Sequence, residues 1–343
     1  MGTNSINKGI KVTYFQRKAR KYNNFSIENY FKEVRRALPP CIIPEISISK
    51  YESNGIFKRL YNSIEAASRQ SAVNHVTGDV HYLTYFLNRK KTVLSVMDCG
   101  QLKLLKGVKF KLLRFFWFQL PAAKSAYITT ISTATKNDLL NYIKFDADKI
   151  IVIPVCISAA YERVEKVFNK EMPRILQVGV TPNKNLERLV AALENIPCIL
   201  IIIGEVPHHI KSLAYEKNVT LEFFDRPLLT EEVVEQYKQA DIITLVSILE
   251  GFGMPIVEGN TVGRVVITGN NTSMPEVAGN AAHMVDALSI DDMKQGFKKI
   301  INDDEYRNKL IENGYENCKR FTNTKIAAQF TEVYNAIMEK QYN

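Results

Sequence analysis

The 343-residue sequence predicts an α/β protein made of two doubly wound parallel-sheet domains. Three observations carry that prediction. Short apolar runs rich in β-branched residues, among them residues 92–96, 199–203 and 242–246, read as strands buried on both faces of a sheet. Glycines stand where such runs end and helical patterns begin, at Gly78, Gly179, Gly251 and Gly253, as strand-to-helix turns require. The length is enough for two cores of ordinary size.

Charge is uneven along the chain. Residues 1–155 hold 25 Lys and Arg against 10 Asp and Glu, a net +15, whereas residues 156–343 net −6. The first half therefore expects an anionic partner, such as lipid head groups, nucleic acid or a phosphorylated acceptor. Five scattered cysteines, Cys41, Cys99, Cys156, Cys198 and Cys318, form no CxxC pair and suit a reducing compartment. The N-terminus shows no signal-peptide pattern, and the most apolar run, 198–203, is too short to cross a bilayer. A cytoplasmic protein, soluble or attached to a surface, is expected.

In order, residues 11–15 read as a first strand and 26–38 as a helix, with Ile27, Tyr30, Phe31 and Val34 at helical spacing. The cations between them, from Arg17 to Lys21, follow the first strand of a doubly wound sheet, so they are placed to meet an acceptor or a phosphate. Residues 75–82 again have the form strand, Gly turn, helix start, and 92–96 is a strand ending at Met97-Asp98-Cys99. Residues 101–120 interleave Lys103, Lys106, Lys109, Lys111 and Arg114 with leucines and aromatics. As one helix they would suit the surface of an anionic membrane, although a core helix with snorkelling lysines has the same composition. Strands at 126–132 and 149–154 with a helix at 135–143 close a first domain, 1–160, and the pattern lapses from 155 to 173.

A second domain, 161–322, opens with a strand at 174–178 delivering Gly179. Lys184 follows at a helix start, where its charge adds to the helix dipole as a phosphate counter-ion. Strands are expected at 199–203, 220–223, 242–246 and 264–268, and a closing segment 323–343 carries the stripe Ile326, Phe330, Val333 and Ile337. The run 250–259, EGFGMPIVEG, combines a glycine turn with Pro255 in the first turn of a helix. The amides about Gly251, Phe252, Gly253 and Met254 are then available to a phosphate or sugar hydroxyl, and Glu250 and Glu258 bracket the turn.

This run resembles the signature of the retaining, nucleotide-sugar-dependent glycosyltransferases of family 4, and Pro182-Asn183-Lys184-Asn185 and Met274-Pro275-Glu276-Val277-Ala278-Gly279 strengthen the likeness. The resemblance implies the GT-B fold: two Rossmann-like domains facing a crevice, with the C-terminal helix returning to the first. It implies that Glu250 lies by the donor sugar and reacting centre, that Glu258 binds the ribose, and that Lys184 binds the diphosphate and stabilises it as it leaves. Gly179 and the amides of 251–254 would contact the donor, and the loop 224–228 with Arg226 would lie by the base. Arg17, His75, Asp79 and Asp98 would line the acceptor side. Met97 stands where many relatives have a histidine that reaches the sugar's distal hydroxyl, so either the donor lacks that hydroxyl or another group supplies the contact.

The expected activity is retaining transfer of a hexose-type sugar from a GDP- or UDP-linked donor to a glycan or lipid-linked acceptor in cell-surface polysaccharide synthesis, at the inner face of the cell membrane. Lys184 and the helix-start amides would meet the charge growing on the departing phosphate, so neither a metal nor a cofactor beyond the nucleotide sugar is expected. Another GT-B enzyme, such as a nucleotide-sugar epimerase or a phosphorylase, is one alternative. A non-catalytic basic binding protein is the other, but no helix-turn-helix, zinc-finger or RNA-binding aromatic signature argues for nucleic acid. No G-x-G-x-x-G follows the first strand, which disfavours a dinucleotide dehydrogenase.

Overall fold

The computed structural model describes residues 9–18, 26–224 and 226–342. Most of the cationic segment predicted after the first strand, residues 19–25 with Arg20 and Lys21, lies outside the described residues, as does Asp225 of the predicted base loop. The chain divides into two compact units, Met1–Cys156 with Asn323–Asn343, and Ile157–Thr322.

The first unit is a six-stranded sheet, all of whose pairings are parallel: β1 (Ile10–Gln16), β2 (Ile42–Ile48), β3 (Val73–Val76), β4 (Thr92–Val96), β5 (Tyr127–Thr130) and β6 (Ile150–Val152), in the order β2-β1-β3-β4-β5-β6. β3, β4 and β5 are buried along their whole length, as their unbroken apolar character predicts. Alternate side chains of β1 feed two cores. Val12 and Tyr14 pack with the helix Ser26–Arg36 and with Ile326, Phe330, Val333 and Ile337 of the terminal helix Asn323–Tyr342, while Phe15 joins Leu94, Val96 and Phe118 on the other face. The stripe foreseen on the terminal helix thus covers the first unit's sheet, and each fully buried side chain contributes about 1.5–3 kcal/mol.

Two elements of this unit had no expectation. β2 is the edge strand, exposed from Ile43 to Ile46 and interrupted by Pro44, so its apolar signal is weak. The helix Ile56–Ser68 leaves Ile56, Phe57, Leu60, Tyr61 and Ile64 exposed. The single helix expected over 101–120 is corrected. Gly107 adopts φ +62°, which separates Gly100–Leu104 from Gly107–Leu113, and a π-helical stretch, Arg114–Gln119, follows. No helix among the described residues is long and apolar enough to cross a membrane.

The second unit repeats the architecture with β7 (Arg174–Val178), β8 (Ile199–Ile203), β9 (Thr220–Phe223), β10 (Ile242–Leu245), β11 (Val265–Gly269) and β12 (His283–Val285), again parallel and ordered β12-β11-β10-β7-β8-β9. Its core includes the predicted stripe Leu186, Leu189, Val190 and Leu193, together with Leu200, Ile202, Ile242, Ile267 and Phe297.

Candidate active site

In the second sheet the chain runs outward from β7 through β8 to β9 and then returns to lay β10 on the other side of β7. Loops leaving the carboxyl ends of β7 and β10 therefore diverge, and this reversal is where open α/β sheets bind ligands.

The loop after β7 is shaped around Lys184. Gly179 has φ +90°, and a Cβ there would sit 3.1 Å from Lys184 Cε, so the absent side chain leaves room for the lysine stem. After the short 3₁₀ turn Pro182–Lys184, Asn185 takes the left-handed conformation (φ 61°), and the helix Leu186–Ala192 begins. Asn185 is buried, and its amide donates to the carbonyls of Val246 (3.1 Å) and Ala287 (2.6 Å). Asn183 donates to Leu249 O (2.9 Å), and Ile248 N donates to Asn183 O (2.9 Å). These bonds stitch the lysine loop to the loop after β10. Their product is an ion pair: Lys184 Nζ lies 2.7 Å from Glu250 Oε1, both side chains about 85% buried.

The glycine turn is equally constrained. Gly253, at φ +112°, precedes the helix Met254–Val262 with Pro255 in its first turn, as expected. A Cβ on Gly259 would meet Ile243 at 2.8 Å and Val266 at 3.0 Å, so this glycine lets the helix lie close against the sheet. Among the described residues no hydrogen bond takes up the N–H of Gly253 or Met254. Two residues with no prior expectation brace the turn from behind. Thr272 Oγ1 accepts from Glu250 N (3.3 Å), and Ser273 Oγ donates to Phe252 O (2.8 Å) and Glu250 O (3.2 Å). Phe252 itself is buried, edge-on to Phe321.

Glu258, one turn into the helix, accepts a hydrogen bond from the Tyr237 hydroxyl, and the Tyr161 phenol lies by the same carboxyl and favours its charged form. Burial pushes its pKa up, and the two phenols and Lys184 only partly oppose this. Neither tyrosine was singled out in the sequence, because Tyr237 reads as a core position of the helix Thr230–Gln239 and Tyr161 lies in the irregular connection. Arg226 is exposed and forked onto Glu232, whose pKa that hydrogen bond draws down to about 2. It is therefore engaged with the first turn of the helix Thr230–Gln239.

In the first sheet the equivalent reversal falls between β1 and β3. Arg17, just past β1, pairs with Glu28 (2.6 Å) and with Asp79, which follows the Gly78 turn after β3. A cleft of about 240 Å³ is lined by Arg17, Lys18, Glu52, Ser53, Asn54 and Asp79. Asp98 is exposed, and its Oδ1 accepts from Gly100 N (2.8 Å) at the start of the helix Gly100–Leu104.

His75 is a correction. It is fully buried in the core rather than lining a ligand loop, with Nδ1 2.8 Å from Tyr334 Oη and Nε2 2.8 Å from Ser95 Oγ. The chain of hydroxyls continues from Tyr334 to Tyr14 (2.8 Å) and from Ser95 to Thr129 (2.6 Å), tying four strands to the terminal helix. Burial, reinforced by the Arg35 charge, pushes the imidazole pKa down to about 3. A strand with both faces covered leaves its histidine nowhere to go but the interior.

Residues 160–317 match the family model of glycosyl transferases group 1. The chain is 23% identical over 290 residues to the O-antigen chain mannosyltransferase B of Escherichia coli, covering 76% of this chain and 74% of that protein. Sucrose-phosphate synthase from Thermosynechococcus elongatus superposes with a TM-score of 0.76 at 13% identity over 96% of this chain and all of that one. Anabaena HepE in complex with UDP-glucose gives 0.74 at 11% identity with the same coverage. The second unit is therefore a glycosyl transferases group 1 domain, carried in a chain with the GT-B fold.

Proposed function

We propose that the chain transfers a hexose-type sugar from a GDP- or UDP-linked donor to a glycan or lipid-linked acceptor in cell-surface polysaccharide synthesis, with retention at the anomeric carbon and without a metal. The observation that carries this reading is the Lys184–Glu250 pair beside the unclaimed Gly253 and Met254 amides at the sheet's reversal point. A diphosphate entering there would replace Glu250 as the counter-ion of Lys184, leaving the carboxylate to the sugar. As the bond from the anomeric carbon to the diphosphate oxygen breaks, charge grows on the leaving phosphate, where an ammonium and fixed amide dipoles lower the barrier. The acceptor hydroxyl attacks the same face and gives its proton to the departing phosphate, so no covalent nucleophile is needed. Glu258 would hold the ribose. The name of the E. coli relative favours a mannosyl donor and a polysaccharide product.

The reading includes attachment to an anionic membrane at the cytoplasmic face through residues 101–120. Leu104, Val108, Leu112, Phe115 and Phe116 are exposed among the lysines of that stretch, the apolar and cationic mixture an interface rewards. Lys106, Lys109 and Lys111 changed together to Glu should release the protein from anionic liposomes, and undiminished binding would remove this part.

Purified protein incubated in EDTA with GDP- and UDP-linked hexoses and lipid-linked glycans tests the transfer itself, with the product's anomeric configuration read by NMR. Acceptor-dependent transfer that preserves the donor's configuration is expected. An inverted linkage, or an altered nucleotide sugar formed without acceptor, would overturn it.

A further inference from the structure

The first unit holds a cavity of about 520 Å³ away from the reversal point of its own sheet. It lies where β4, β5 and β6 begin, at the amino edge of the sheet, and is lined by Arg89 and Lys90 before β4, Ala126 and Tyr127 at the start of β5, Lys144, Phe145, Asp146 and Lys149 before β6, and Lys340 of the terminal helix. Ligands of doubly wound sheets bind at the carboxyl edge, so nothing in the transfer reaction uses this place.

Five cations, Arg89, Lys90, Lys144, Lys149 and Lys340, converge on it against one lining carboxylate, Asp146. That carboxylate is spent on Lys149 at 2.8 Å and on capping Asp148 N at 3.0 Å. Lys340 Nζ donates to the Tyr127 hydroxyl (2.8 Å), a neutral partner, and only feels the Asp146 carboxylate through space rather than pairing with it. Among the described residues, Arg89, Lys90 and Lys144 form no ion pair. Like charges gathered in a concave site repel one another unless an anion joins them, and walls of low polarity focus their field. Ala123, Ala126, Tyr127 and Phe145 provide such walls, and the volume is that of a small organic ligand.

We propose that this cavity is a second ligand site, binding an organic phosphate or diphosphate whose phosphoryl oxygens meet Arg89, Lys90 and Lys144 while its apolar part lies on Tyr127 and Phe145. The phosphoryl group can belong to a soluble compound or to a lipid headgroup. Both sources share the chemistry that the cations select.

The full chain carrying Lys184→Ala, which removes the expected diphosphate contact of the donor site, is titrated calorimetrically in parallel with inorganic pyrophosphate and with a water-soluble short-chain phosphatidic acid. The same titrations are repeated after adding Arg89→Glu and Lys144→Glu, and after adding Arg89→Lys and Lys144→Arg instead. At least one probe should bind, the charge-reversed protein should bind it about tenfold or more weakly, and the charge-preserving protein should bind it nearly as before. Pyrophosphate binding would show that the phosphoryl group suffices; binding of the lipid alone would show that the apolar wall is required. Arg89 and Lys144 are both exposed, and thermal unfolding checks that each variant is folded. Failure of both probes to bind at up to about 10 mM, or equal affinity in the charge-reversed protein, would overturn the proposal.

Discussion

The two units repeat one architecture, and each places an ion pair across the reversal point of its sheet, but the pairs are balanced differently. In the second unit Lys184 makes its direct ion pair with one carboxylate, Glu250, while Glu258 feels its charge from farther off. In the first, Arg17 is held between Glu28 and Asp79. One cation with one removable counter-ion, next to unclaimed amides, is a place for an anion. A guanidinium already engaged by two carboxylates is less open to an anion, and its remaining donors suit hydroxyl groups. The sequence showed a cationic loop after β1, placed to meet an acceptor or a phosphate, but not the carboxylates that the first helix and the Gly78 turn bring to Arg17. The units also differ in where their buried polarity goes. In the second it braces loops through Asn185, Thr272 and Ser273, whereas in the first it runs through the interior as the Tyr14, Tyr334, His75, Ser95 and Thr129 chain.

The largest effect that separates the units is expected from acid. His75 has a folded pKa near 3 against about 6.5 unfolded, so the unfolded chain takes up its proton first as pH falls. Stability owed to neutral His75 is whole above about pH 6.5 and declines at about 1.4 kcal/mol per unit below it, until the folded value is reached. Hydrogen exchange of β3 amides between pH 7 and 4 should show this decline in the wild type and a shallower one in His75→Gln. Parallel slopes would remove the histidine from the account.

Next comes catalysis. Lys184→Ala or Glu250→Ala should lower turnover at least about 100-fold, close to 2.7 kcal/mol, with folding intact. Near-normal activity of both would break the assignment of the second unit's pair. The analogous Arg17→Ala should act on the other substrate, raising the acceptor KM about tenfold while the donor KM stays put. If the donor KM rises instead, the distinction between an anion-binding pair and a hydroxyl-binding pair fails.

Legibility in the sequence followed burial. Strands covered on both faces, such as β4, β8 and β10, announce themselves as unbroken apolar runs, and the stripe of the terminal helix was equally plain. β2 was invisible because an exposed edge strand can afford Pro44 and Glu45. Local chemistry marked Lys184, Glu250 and the glycines, whose turns need those residue types. Tyr161, Tyr237, Thr272 and Ser273 carry no such mark, since their roles arise from contacts across 21 to 97 positions of sequence. His75 misled for a related reason: a histidine next to a Gly turn looks ready for a ligand, and only the neighbouring strand β4 and the helix returning from the chain's far end show that its two nitrogens are already taken.

The smallest effect concerns Glu258, and it asks whether the second unit keeps any polarity strained for binding's sake. A carboxyl whose folded pKa is raised by burial stabilises the fold while protonated; that contribution is complete below the unfolded value of about 4.5 and is lost as pH rises through the folded one. Glu258→Gln imitates the protonated carboxyl and still accepts a hydrogen bond from one tyrosine. Its melting temperature should match the wild type near pH 4 and exceed it by about 2–4 °C near pH 8. If the same variant binds donor more weakly, the ionised carboxylate is retained for the ligand at the expense of the fold. A melting difference that does not change with pH would mean that the two phenols, rather than the charge, set the energy of this site.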